Sequence, residues 1–183
     1  HQEAIFYGDL DAQFDQLHGK ALSYNNLLDI DAALNLMADF QEGAPCFAIF
    51  KHTNPCGVAL GTTLKQSWER ALECDPVSAF GGIIICNGIV ALDVAEAIQE
   101  IFFEVLIAEG FTDEALAKLQ QKKNRILLKR KSHVLPKHTF RSAVNGVLYQ
   151  AKDNLLADSS VYEPKSTRQV TENELSDVIF GEK

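Results

Sequence analysis

Apolar residues along the chain recur by turns at three- and four-residue steps and in short continuous runs, the signatures of helices and of buried strands. Ile30, Ala33, Leu34, Met37 and Phe40 predict an amphipathic helix over 29–40. After the break Glu42-Gly43-Ala44-Pro45, the run Cys46-Phe47-Ala48-Ile49-Phe50 predicts a strand that feeds into the polar turn Lys51-His52-Thr53-Asn54-Pro55. Polar residues at a buried strand's end are where open α/β sheets keep their sites. Thr62 or Thr63 can cap a helix to about Cys74, with Leu64, Trp68, Ala71 and Leu72 inward. Gly81 to Cys86 predicts a second strand, Asp93 caps a helix to about Phe103, and Val105 to Ala108 forms another strand. Thr112-Asp113-Glu114 opens a helix to about Gln121. Ile126 to Leu128 and Val147 to Gln150 complete the strands, and Glu172 to Phe180 forms a last short helix after the polar stretch 153–171. Alternation of this kind predicts an α/β domain.

Composition narrows the class. A chain of 183 residues, 46% hydrophobic and 23% charged, can bury a core, which excludes disorder and fibrous repeats. A net charge of −8 argues against nucleic acid or an anionic membrane as partner. The longest apolar runs fall short of the roughly 20 residues that cross a bilayer, so a soluble protein is expected. The start at His1-Gln2-Glu3-Ala4 lacks both Met and a signal sequence and reads as a cut. Cys46, Cys56, Cys74 and Cys86 form no C-x-x-C pair and lie in or beside apolar segments, so they are expected as buried free thiols rather than disulfides or zinc ligands. The basic stretch from Lys122 to Lys137 is expected to be a solvated surface.

Three places could carry chemistry. Lys51-His52-Thr53-Asn54-Pro55-Cys56-Gly57 sets an ammonium, an imidazole and an amide close together at a strand end. An imidazole exchanges protons near neutral pH, and a lysine stabilises developing negative charge or supplies a proton. Asp75-Pro76-Val77-Ser78-Ala79-Phe80-Gly81-Gly82 offers either backbone amides for a phosphate or heterocycle, or a plain helix-to-strand connection. Glu104 lies inside an apolar run and must either reach the sheet edge or meet a donor. Cys56 follows Pro55 as in zinc deaminases, but the second cysteine and an upstream His-x-Glu are missing, which argues against that chemistry.

Together with Leu22-Ser23-Tyr24-Asn25-Asn26-Leu27-Leu28-Asp29 and Phe103-Glu104-Val105-Leu106-Ile107-Ala108, these segments stand in the order and spacing of one family. The chain resembles, over nearly its whole length, the transformylase region of the bifunctional 5-aminoimidazole-4-carboxamide ribonucleotide (AICAR) formyltransferase/IMP cyclohydrolases. The resemblance implies a three-layer α/β/α cytidine-deaminase-like unit without zinc over 1–152. Residues 153–183 would then be a linker and short helix leading to a second such unit. It implies transfer of a formyl group from 10-formyltetrahydrofolate to AICAR in purine synthesis in the cytoplasm, by a homodimer whose cyclohydrolase domain lies elsewhere.

Carried over by residue, His52 takes the proton from the attacking amine, and Lys51 stabilises the transition state and helps protonate the departing folate. Asn54 supports that pair, Phe80 and Gly81 line the base site, and Glu104 contacts the substrate. His1 belongs to an Asn-Pro-His-Gln motif whose earlier residues bind phosphate. Glu109 replaces a proline usual in the family, a change expected to touch only the loop. A chain of this extent is expected to present half a site and no turnover alone. The rival expectation is a catalytically silent folding or dimerisation module.

Overall fold

The computed structural model describes residues 3–153, 162–165 and 167–182. The chain forms two compact units, His1–His133 and Val134–Lys183.

In the first unit, strands β1 (Phe14–His18), β2 (Cys46–Lys51), β3 (Asn54–Leu60), β4 (Gly82–Cys86), β6 (Phe103–Ala108) and β8 (Ile126–Arg130) make a six-stranded sheet in the order β1-β8-β6-β4-β2-β3. The pairs β4/β6 and β6/β8 are parallel, and β2 runs antiparallel to both β3 and β4. Two short strands, β5 (Ile89–Val90) and β7 (Gly110–Phe111), pair separately. The protein is therefore α/β with a mixed central sheet flanked by helices.

Both faces of the central strands are covered, which is why β2 and β4 read as unbroken apolar runs rather than alternating ones. Helix α1 (Tyr24–Ala38) packs over β2, β3 and β4. Helices α2 (Leu64–Cys74), α3 (Leu92–Ile98) and α4 (Asp113–Leu119) contribute Trp68, Ala71, Val94, Ile98, Ala115 and Leu119 to a core shared with Phe47, Ile49, Ile84, Leu106 and Leu127. Phe47 meets Trp68 edge to face, with ring centroids 5.7 Å apart.

Thr63 caps α2 and Thr112 caps α4, as their sequences predict. Three expectations are corrected. Helix α1 begins at Tyr24 rather than 29, because Ser23 Oγ accepts the Asn26 N–H while Asn26 Oδ1 accepts that of Ser23, each at 3.1 Å. Ala91, not Asp93, is the N-cap of α3, and Asp93 lies in the first turn, where an acid suits the helix dipole. That helix ends at Ile98, short of Phe103, and Arg125 Nη2 donates to the carbonyls of Gln99 and Ile101 just beyond it.

The basic stretch is likewise only partly solvated. Arg125 is buried over the Phe103 ring, 4.4 Å from guanidinium carbon to centroid, and Arg130 is buried 3.5 Å from Glu109 Oε1. Burial draws both guanidinium pKa values down. Glu109 also meets His133 Nε2 at 3.1 Å, so its place in the chain changes an ion-pair cluster and not only a loop. All four cysteines are free thiols, but only Cys46 and Cys86 are buried. Cys56 is half-buried and Cys74 exposed at the end of α2.

The second unit contains the hairpin β9 (His138–Ala143) and β10 (Gly146–Ala151) and helix α5 (Glu172–Glu182). Tyr149 stacks on His138 and touches Phe140 across the hairpin. Thr171 Oγ1 accepts the Glu174 N–H at 3.3 Å, and Arg168 pairs with Glu174. The Arg168 pair, and the Thr171 N–H and hydroxyl that donate to the Glu174 carboxylate, pull that carboxyl down to about 2. Among the described residues, no helix is long and apolar enough to cross a membrane.

Candidate active site

The site grows from the turn between β2 and β3. Lys51 pairs with Asn54 as the last rung of that ladder, leaving His52 and Thr53 as a two-residue loop with φ of 52° and 64°. Positive φ at both central positions suits the twist of a hairpin and usually calls for Asn-Gly or Asp-Gly. A β-branched Thr there is strained, so the surroundings must impose the conformation. Asp29 Oδ1 accepts the Thr53 N–H at 2.7 Å, Asn54 Nδ2 donates to the His52 carbonyl at 2.9 Å, and Thr53 Oγ1 donates to the same carbonyl at 2.6 Å.

Lys51 is fixed from the turn that precedes β4. Its Nζ donates to the Phe80 carbonyl at 2.8 Å. Gly81, with φ +72°, turns the chain there and donates its N–H to the Phe102 carbonyl at 2.7 Å. A Cβ on Gly81 would stand 2.9 Å from Lys51 Nζ, so the absent side chain is the room the ammonium occupies.

Glu104 lies on interior strand β6, not at the sheet edge, and its donor is Asn26 Nδ2 at 2.9 Å. One amide thus starts α1 with its oxygen and its backbone N–H and orients an acid with its nitrogen.

These groups converge. Lys51, His52, Gly81 and Glu104 line a cleft of about 310 Å³ together with Asn26 and Asp29 and with Lys20, Ser23, Asn25 and Ile83. Sequence patterning pointed to the first four. It did not single out Asn26, Asp29 or Lys20, although Ser23-x-x-Asn26 is a legible capping signal. Phe80 is 63% exposed, its ring 5.4 Å from that of Phe102, and it reaches the site through its carbonyl rather than its ring. Asn54 acts on the turn from outside the cleft. His1 lies outside the described residues.

Because β2 is antiparallel to β4, the end of β2 that carries Lys51 coincides with the amino ends of β4 and β6. The cleft therefore opens at the end of the parallel strands opposite to the one that doubly wound sheets use. The loop 75–82 closes on itself. Asp75 accepts from Val77 N–H at 3.2 Å, Ser78 N–H at 2.9 Å and Ser78 Oγ at 2.5 Å, which leaves Ser78 committed to the turn. No cluster of three or more His, Cys, Asp or Glu suited to a metal occurs among the described residues.

Chemically, the cleft presents an imidazole, an ammonium held by the Phe80 carbonyl and a carboxylate held by the Asn26 amide. That set suits proton transfer at a substrate on which negative charge develops. Residues 1–183 match the family described as AICARFT/IMPCHase bienzyme. The bifunctional purine biosynthesis protein PurH of Bacteroides thetaiotaomicron is 48% identical over 183 residues, covering 100% of this chain and 36% of the relative. PurH of Caulobacter vibrioides is 44% identical over 192 residues, covering 99% and 36%. PurH of Pediococcus pentosaceus is 42% identical over 191 residues, covering 100% and 37%. The chain belongs to the AICARFT/IMPCHase bienzyme family. It spans about a third of the length of the curated relatives it matches.

Proposed function

We propose that this chain supplies one half of an AICAR formyltransferase site, which moves a formyl group from 10-formyltetrahydrofolate to the 5-amino group of AICAR. The observation that carries the reading is the convergence of Lys51, His52, Gly81 and Glu104 on one cleft, in a chain that matches the family throughout.

The amine of AICAR is conjugated through the ring to a carboxamide and is a poor nucleophile. As its nitrogen bonds to the formyl carbon, His52 takes the proton the amine sheds. The bond from the formyl carbon to N10 of the folate breaks, and N10 takes up a proton, with Lys51 stabilising the charge and assisting that step. Glu104, oriented by Asn26, contacts the nucleotide. Phe80 and Gly81 flank its base, Asn54 holds the turn, and His1 joins the phosphate-binding segment.

On this reading residues 1–152 are the first of two cytidine-deaminase-like units, built without zinc, and 153–183 lead to the second. A homodimer in the cytoplasm completes the site. In full-length protein, His52→Ala is expected to lower kcat for formyl transfer by about 10²–10⁴ while cyclohydrolase turnover persists. Normal formyl transfer by that variant refutes the reading.

A further inference from the structure

Five side chains in the cleft carry charge or can acquire it, and their commitments differ. Asp29 accepts the Thr53 N–H, Glu104 accepts from Asn26 and Lys51 donates to the Phe80 carbonyl. His52 lines the cleft beside them. Lys20 remains, an exposed ammonium on the same cleft with no partner among the described residues.

The backbone under Lys20 is built to one position. Gln16 Nε2 donates to three successive carbonyls, those of His18 at 3.4 Å, Gly19 at 3.3 Å and Lys20 at 2.8 Å. Gly19, with φ +98°, passes so close to the next strand that a Cβ would fall 2.3 Å from the Arg125 carbonyl oxygen, so no other residue fits. Three residues after Lys20, the Ser23 cap fixes the start of α1. The segment is pinned at both ends. A flexible stem on a fixed Cα then carries a point charge at the cleft, which suits an oxyanion whose exact orientation is not dictated.

We propose that Lys20 recognises an oxyanion of a substrate, the phosphate of the nucleotide or a carboxylate of the folate, a role that rests on the formyl-transfer reading of the cleft. The ammonium pairs with the anion as substrate enters, so its contribution falls more on substrate binding than on the chemical step.

The test uses full-length protein. Absence of formyl transfer in the wild type sinks the reading of the cleft before Lys20 is at issue. With wild-type turnover established, Lys20→Met and Lys20→Arg are compared for KM toward AICAR, toward the AICAR riboside lacking phosphate, and toward 10-formyltetrahydrofolate. Lys20→Met is expected to raise KM for one anionic substrate on the order of tenfold, with Lys20→Arg recovering most of it. A rise for AICAR but not its riboside identifies the phosphate, and a rise for the folate identifies the carboxylate. A rise shared equally by AICAR and its riboside, or no KM change beyond about twofold at unchanged Tm, overturns the proposal. Lys20→Gln replaces Lys20→Met if the latter is not recovered folded.

Discussion

Asp29 Oδ1 accepts the backbone N–H of Thr53 at 2.7 Å, so a residue of helix α1 holds a left-handed turn that the turn's own sequence disfavours. The bond ties helix α1 to the residue next to the one that carries the imidazole. Asp29→Ala removes it and leaves the strained pair supported only by Asn54 and Thr53. The expected cost is about 1 kcal/mol in urea unfolding. Formyl transfer in the full-length protein should fall well beyond what that loss explains, because His52 no longer has one position.

Gly81→Ala places a methyl group 2.9 Å from Lys51 Nζ at a backbone φ of +72°. Strain of about 1–2 kcal/mol is expected from the backbone alone. The ammonium must also leave the Phe80 carbonyl. A lower Tm together with a loss of kcat larger than that of a Gly→Ala change at Gly43, where nothing lies within 4 Å, is the expected pattern.

The Asp75 carboxyl is held below the ordinary carboxylate range, chiefly by the Ser78 hydroxyl and then by the backbone N–H groups of Ser78 and Val77. Its folded pKa lies below its unfolded one, so these bonds contribute stability above the unfolded value that is lost as pH falls through the folded value. Ser78→Ala should therefore melt below wild type at neutral pH, and the two melting curves should converge as pH drops beneath the carboxylate range. A constant gap across that range would show that Ser78 acts by packing alone.

The thiols should react in a fixed order. Cys74 is exposed, Cys56 is half-buried with its thiol pushed up mainly by burial, and Cys86 is fully enclosed and pushed up to about 12. Titration with a thiol reagent at pH 8 is expected to give one fast equivalent and one slow one. The last two, Cys46 and Cys86, should appear only on adding guanidinium.

The interior of the fold was legible because burial on both faces leaves a plain mark. Strands β2 and β4 and the caps at Thr63 and Thr112 fall where the pattern puts them. Strand β3 was not legible. Its opening, Asn54-Pro55-Cys56-Gly57, has the composition of a turn, and the true turn at His52-Thr53 lacks the glycine that advertises one. Edge strand β1 escaped for a different reason, since Phe14-Asp15-Gln16-Leu17-His18 buries only Phe14 fully. In the site, Lys51, His52 and Glu104 stand out as polar residues in or beside apolar runs. Asp29 and Asn26 sit within a helix pattern where a carboxylate or amide is unremarkable, and only the tertiary fold shows what they hold.

The hairpin loop has an easier sequence available to it. Asn-Gly at 52–53 would adopt the same backbone without strain and should raise the melting temperature, yet it would delete the imidazole. A left-handed turn and the imidazole assigned to proton transfer occupy one position, so a search for thermostable variants at this loop would select against the proposed activity.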